Sequence, residues 1–182
     1  MVPKILYNKY FIAVFCVIAL ASFALIGSID NAEYELEKAE IHIKEINSDE
    51  ALYKLVSDIG SGPTLLVLYT SWCSNCIEKM PDIIEALSRY RDVKPMIISL
   101  DTSRSKLAAF LRDQKIINFE PYNVSSEYHG KLAYALSGKG VYFSGKIPFI
   151  AIIGDNTAPI TNVYNKRALF AAIASVSKAN NE

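Results

Sequence analysis

The chain has 182 residues but only three cysteines, two histidines and one tryptophan. Three cysteines are too few for a disulfide-stapled small protein. With no second cysteine pair, a four-ligand zinc site has too few thiolates. An excess charge of one sign is also missing. The 19 basic residues are matched by 19 acidic ones, so composition supplies no electrostatic footprint for nucleic acid. Internal repeats and low-complexity runs are absent. Apolar residues make up 51% of the chain and charged residues 21%, which excludes disordered and fibrous classes, and the length suits one domain or one domain plus a short accessory piece.

The mean hydropathy of +0.18 is high for a soluble domain, and much of the excess lies in one place. From Tyr10 to Ile29 twenty residues pass without a charge, enough for a helix of roughly 30 Å, the thickness of a bilayer core. Lys4 and Lys9 precede the run, and Asp30, Glu33 and Glu35 follow it. The positive-inside rule therefore predicts a cytoplasmic segment over 1–9, a transmembrane signal anchor over 10–29, a linker over 30–40 and an exported body over 41–182. The alternative is a cleaved signal peptide, with Ala19-Leu20-Ala21 as the cleavage site after a short apolar core from Phe11 to Ile18. Apolar residues continue through Phe23, Leu25 and Ile26, past that site, and this favours the anchor. Both readings export the body, and the bacterial periplasm is the predicted compartment. Cys16 lies mid-span as a small apolar side chain.

Along the body, the apolar pattern predicts strands over Ile41–Ile46, Thr64–Thr70, Pro95–Leu100 and Ile147–Ile153, with a returning strand from Ile160 to Tyr164. Helices are predicted after Asn47, after the cysteine pair, after Ser103, around Leu132–Leu136 and after Asn165. Ile77, Met80, Ile83, Ile84, Leu87 and Tyr90 form the inward stripe of the second helix, which Pro81 should kink. The stretch 116–146 is read as an irregular insertion. The fold class is α/β, a central mixed sheet covered by helices on both faces.

Chemistry concentrates at Trp72-Cys73-Ser74-Asn75-Cys76, between a buried strand and a helix. The first turn of a helix has unpaired N–H groups and a partial positive charge, so a thiolate is favoured there. Cys73, at the helix start, is predicted to be the attacking sulfur. Cys76, one turn in, is predicted to be the buried sulfur that resolves the mixed disulfide. In an oxidising compartment such a pair cycles as a redox-active disulfide, and it needs no cofactor or metal.

These residues resemble the thioredoxin superfamily over about Ile41 to Lys178. The resemblance rests on the W-C-x-x-C run Trp72–Cys76, on Pro81 five residues later, on Ile147-Pro148 before the penultimate strand, and on a helix after the final hairpin. The anchor, the insertion before that strand and the run Cys76-Ile77-Glu78-Lys79-Met80-Pro81 are most similar to membrane-anchored TlpA, ResA and CcmG proteins. The resemblance implies a cis-proline at Pro148 facing the cysteines. With Trp72 and Ile147, that proline would hold an extended client segment. It also implies a protein disulfide reductase serving cytochrome or oxidase maturation, with disulfide-containing clients and a membrane thiol donor of electrons as partners.

The chain departs from the family at three positions. Asn75 replaces the proline before the second cysteine, Val67 the buried aspartate of thioredoxins, and Lys79 a glutamate of the TlpA type. With no acid at Val67, the candidates for taking the Cys76 proton are Glu78, Glu120 and Glu127. Two other readings use the same sulfurs: a dithiol oxidase that introduces disulfides, and a copper metallochaperone with His129 as a further ligand. Thr70 and Cys73 also match the T-x-x-C of peroxiredoxins, but Leu66 stands where that family has proline. Tyr122, Tyr128, Tyr134 and Tyr142, with Phe119 and Phe143, are expected to build a satellite core under the insertion.

Overall fold

Why each segment takes its form is clearest at β2 (Thr64–Tyr69), where all six residues are buried. A strand with no exposed side must lie in the middle of a sheet. The computed structural model describes residues 41–114, 117–155 and 157–177. The predicted anchor and linker lie outside them. Among the described residues no helix is long and apolar enough to cross a membrane.

The described elements, in chain order, are β1 (Lys44–Ile46), α1 (Asp49–Asp58), β2, α2 (Ser74–Arg89), β3 (Lys94–Ser99), α3 (Arg104–Asp113), β4 (Tyr122–Val124), a 3-10 turn (Ser126–Tyr128), α4 (His129–Ser137), β5 (Phe149–Ile153), β6 (Ile160–Thr161) and α5 (Lys166–Val176). They build one mixed sheet in the order β1-β4-β3-β2-β5-β6. The first four strands of that order run parallel, whereas β5 is antiparallel to both β2 and β6.

Alternation along β2 divides the core. Leu65, Val67 and Tyr69 face one side with Met80, Ile83, Leu107, Leu111, Leu169 and Ile173. Leu66 and Leu68 face the other with Leu52, Leu55, Leu132 and Leu136. Crossover handedness explains which helix goes where. Steps from β2 to β3 and from β3 to β4 run one way along the sheet, and the step from β1 to β2 runs the other way. Right-handed connections then put α2 and α3 on one face and α1 on the opposite one.

Local signals set the helix boundaries. Ser48 caps α1 by accepting from the Ala51 N–H at 3.1 Å, one residue later than the predicted Asn47. Asn165 caps α5 through the Ala168 N–H at 2.8 Å, as predicted. At the β5–β6 turn, a Cβ on Gly154 would come within 2.7 Å of both Thr157 and Val176, so the close approach needs glycine.

Four expectations are corrected. The insertion contributes β4, which enters the sheet between β1 and β3; a three-residue strand is too short to show a period. The returning strand is shorter than predicted, ending at Thr161. Ile77 is exposed rather than inward, because Cys76 occupies the inward position and the next helical residue points about 100° away. The satellite core forms without two of its tyrosines: Tyr134 and Tyr142 are 83% and 77% exposed. Leu132, Leu136 and Val141 fill it instead, and Phe143 meets Phe149 edge-on with ring centroids 5.4 Å apart.

Candidate active site

The C-terminal ends of parallel strands lie at one edge of a sheet, and loops there converge. In register, Tyr69 at the end of β2 lies beside Ser99 at the end of β3. The chain leaves β2 through Thr70, Ser71 and Trp72, and Cys73 is the N-cap of α2. Its backbone N–H donates to the Thr70 carbonyl at 3.3 Å, while its own carbonyl accepts from the N–H groups of Cys76 (2.9 Å) and Ile77 (3.0 Å). The spacing of two residues between the cysteines therefore equals the first turn of the helix.

Both cysteines are free thiols. Cys73 is half-buried and Cys76 is 1% exposed. Burial first, and then a hydrogen bond to the Cys73 sulfur, pushes the Cys76 thiol up to about 12; the nearby Cys73 and Asp101 charges add to this, while a backbone hydrogen bond from Thr70 opposes it. One sulfur is thus reachable, and the other is held below it as a thiol.

The second loop at this edge brings Ile147 and Pro148. Their peptide bond is cis, and the Cys73 thiol lies 3.9 Å from the Ile147 carbonyl as its donor. Pro148 is buried and Ile147 half-buried. On the outer side Trp72 is 68% exposed, with Ile77 also exposed. The structure so brings Cys73, Cys76, Ile147 and Pro148 together, with Trp72 at the rim. Pro81 lies within α2, which runs through it from Ser74 to Arg89. Lacking an N–H, it leaves the Ile77 carbonyl without its helical donor.

The candidate acids lie elsewhere. Glu78 is exposed on α2, and Glu127 is exposed in the 3-10 turn. Glu120 binds Tyr122 Oη and sits 3.5 Å from Lys44 Nζ. The tyrosine hydrogen bond and, less strongly, Lys44 hold its carboxyl below the usual range. The acid whose charge acts on Cys76 is Asp101, 2% exposed just beyond β3. Asp101 is not among the acids expected from the sequence; it stands two residues before Ser103, the N-cap of α3. A usable signal was present, since Ser99-x-Asp101 ends the parallel strand next to the one that leads to the cysteines. His129 is held by the Val124 carbonyl at 2.9 Å, inside the insertion. Among the described residues, no three His, Cys, Asp or Glu side chains gather closely enough to hold a metal ion.

No protein-family model matches the chain, and no curated protein matches it in sequence. Solved structures do match. The thioredoxin domain of a thiol-disulfide oxidoreductase from Bacteroides vulgatus is similar at a TM-score of 0.56 and 10% identity, covering 67% of this chain and 84% of that one. A putative thiol:disulfide interchange protein DsbE from Chlorobium tepidum is similar at 0.52 and 19%, covering 66% and 84%. A secreted Mycobacterium tuberculosis disulfide oxidoreductase homologous to Escherichia coli DsbE is similar at 0.51 and 14%, covering 65% and 85%. Identities this low speak for the fold alone, and by fold the chain is thioredoxin-like, with its cysteine pair at the start of α2 and a cis-proline before β5.

Proposed function

We propose that the chain is a thiol–disulfide oxidoreductase that reduces disulfides of client proteins on the outer side of a bacterial inner membrane, tethered by residues 10–29. The observation that carries this reading is the pairing of a half-exposed Cys73 with a buried Cys76, the former 3.9 Å from the carbonyl that precedes cis-Pro148. The relatives in structure support it, since those from Bacteroides vulgatus and Mycobacterium tuberculosis are described as disulfide oxidoreductases.

The exchange balances in two steps. The Cys73 thiolate attacks one sulfur of a client disulfide, forming a Cys73–client disulfide and releasing the other client sulfur as a thiolate. Cys76 then loses its proton and attacks the Cys73 sulfur. This closes the Cys73–Cys76 disulfide and frees the second client thiolate. The client gains two electrons, and both of its thiolates take protons from solvent. A membrane dithiol donor restores the chain by the reverse exchange. An extended client segment would pair with the backbone edge at Ile147, which sets its disulfide against Cys73.

Equilibration with glutathione tests the direction. A potential of roughly −270 mV, near that of thioredoxin, is expected, whereas one near −120 mV would make the chain an oxidase. A Cys76→Ala variant should accumulate mixed disulfides on Cys73, and failure to trap any client would refute the exchange reaction.

A further inference from the structure

Behind the cysteine pair lies a polar cluster that no step of this exchange uses. The Asp101 carboxylate accepts from the Ser71 N–H at 2.8 Å, from Ser71 Oγ at 2.7 Å and from Ser99 Oγ at 2.8 Å. Ser99 Oγ in turn accepts from the Asp101 N–H at 2.9 Å. Hydrogen bonds to an ionised acceptor are roughly twice as strong as neutral ones. The two from Ser71 therefore bind the end of β3 to the turn that leaves β2, and the two with Ser99 fix the carboxylate at that end. Ser71 directly precedes Trp72 and Cys73, so the strap ends two residues from the attacking sulfur.

On its other side the same carboxylate faces the interior. Its charge acts on Cys76 and on the Tyr69 hydroxyl. Tyr69 is wholly buried, and its hydroxyl makes no hydrogen bond among the described residues. The groups that face Cys76 are thus Cys73 on its own helix, Tyr69 on β2 and Asp101 beyond β3. Charges on the following turns of α2 are engaged elsewhere: Lys79 pairs with Asp82 at 3.7 Å, and Lys166 of α5 pairs with Asp82 and Glu85.

We propose that Asp101 is a positioning residue for the exchange: it locks the Ser71 turn that presents Cys73, and its buried charge slows the attack of Cys76 on the mixed disulfide. This rests on Cys73 and Cys76 being the exchanging pair. The charge works as a brake. A resolving sulfur that keeps its proton leaves the mixed disulfide intact for longer, so the client stays bound while its partner thiol departs.

The test is labelling of each cysteine in the reduced full chain with iodoacetamide across a pH series, read by mass spectrometry. Asp101→Asn keeps the shape and removes the charge. Cys76 should then reach half-labelling at least half a pH unit lower, a threefold fall in proton affinity. A lower proton affinity also makes a weaker nucleophile, with a Brønsted slope of about 0.4–0.5, so resolution of a preformed mixed disulfide should speed up about twofold at neutral pH. Asp101→Glu should restore most of the wild-type labelling curve. An unchanged Cys76 curve in Asp101→Asn, with only a loss of stability, would reduce Asp101 to a structural strap and overturn the proposal. Should that variant not fold, the wild-type chain supplies the second test. The carboxyl carbon-13 shift of Asp101 must record the ionisation of Cys76 at alkaline pH, and a flat signal overturns the proposal. A wild-type chain that never forms a mixed disulfide would instead refute the exchange reaction and leave the labelling result standing.

Discussion

The turn that carries the cysteines and the described part of the insertion, 117–146, both connect sheet elements, yet they are held by opposite means. The turn exposes its tryptophan and depends on hydrogen bonds, chiefly those from Ser71 to Asp101. The insertion is held by apolar burial: Leu132, Leu136 and Val141 are each at 0% exposure. Its exposed tyrosines, Tyr134 and Tyr142, lie outside that packing. Polar bonds fix direction at modest net stabilisation, whereas buried side chains supply stability without aiming any one atom. Reactivity and stability are therefore encoded in different places, and substitutions should separate them.

The largest effect is expected at the attacking sulfur. Cys73→Ser should reduce disulfide exchange to background, since a serine hydroxyl with no adjacent base is not a nucleophile at neutral pH. The thermal midpoint should move by no more than a few degrees. A folded variant that still exchanged would remove the distinction between the two sulfurs. Next comes the insertion: Leu132→Ala should cost about 2–5 kcal/mol in denaturant unfolding, while the folded fraction exchanges within twofold of wild type. A collapse of exchange in folded Leu132→Ala would show that the insertion shapes the site directly.

The third prediction uses pH. With the Cys76 thiol pushed up to about 12, the resolving step should accelerate about tenfold per pH unit above neutrality and level off only near that value. The same shift carries a sign for stability. The folded state holds the Cys76 proton more tightly than the unfolded chain, whose thiol titrates near roughly 8.5. This contribution is complete below that value and is lost as pH rises towards about 12. Urea unfolding at a series of alkaline pH values should show wild type losing stability that Cys76→Ala retains; parallel curves would refute the assignment. The smallest effect belongs to the insertion's surface: Tyr134→Ser and Tyr142→Ser should each change stability by less than about 0.5 kcal/mol. A larger loss would mean that these rings are covered in the full chain.

Much of the architecture was legible because it rests on local rules. A strand-length apolar run with no polar alternation marks a central strand, and β2 is one. The turn at Gly154 with apolar runs on both sides marks a hairpin, and β5 and β6 pair antiparallel. Asn165 caps α5. The elements that were missed depend on partners distant in sequence. Tyr122–Val124 becomes a strand because β1 and β3 present open edges on either side of it. Ile77 turns outward because Cys76 takes the inward place.

By itself the sequence determined the strand and helix types outside the insertion, the mixed α/β class and the position of two sulfurs at a helix start, all of which depend on neighbours within one or two turns. Only the tertiary structure decided what stands behind those sulfurs. Asp101 lies 28 residues from Cys73 along the chain and reaches the Ser71 turn because parallel strands bring their C-terminal ends side by side. Glu78, two residues from Cys76, is turned to solvent by the helix. Sequence proximity marks a neighbour only within one element, and across a sheet it is register that brings residues together.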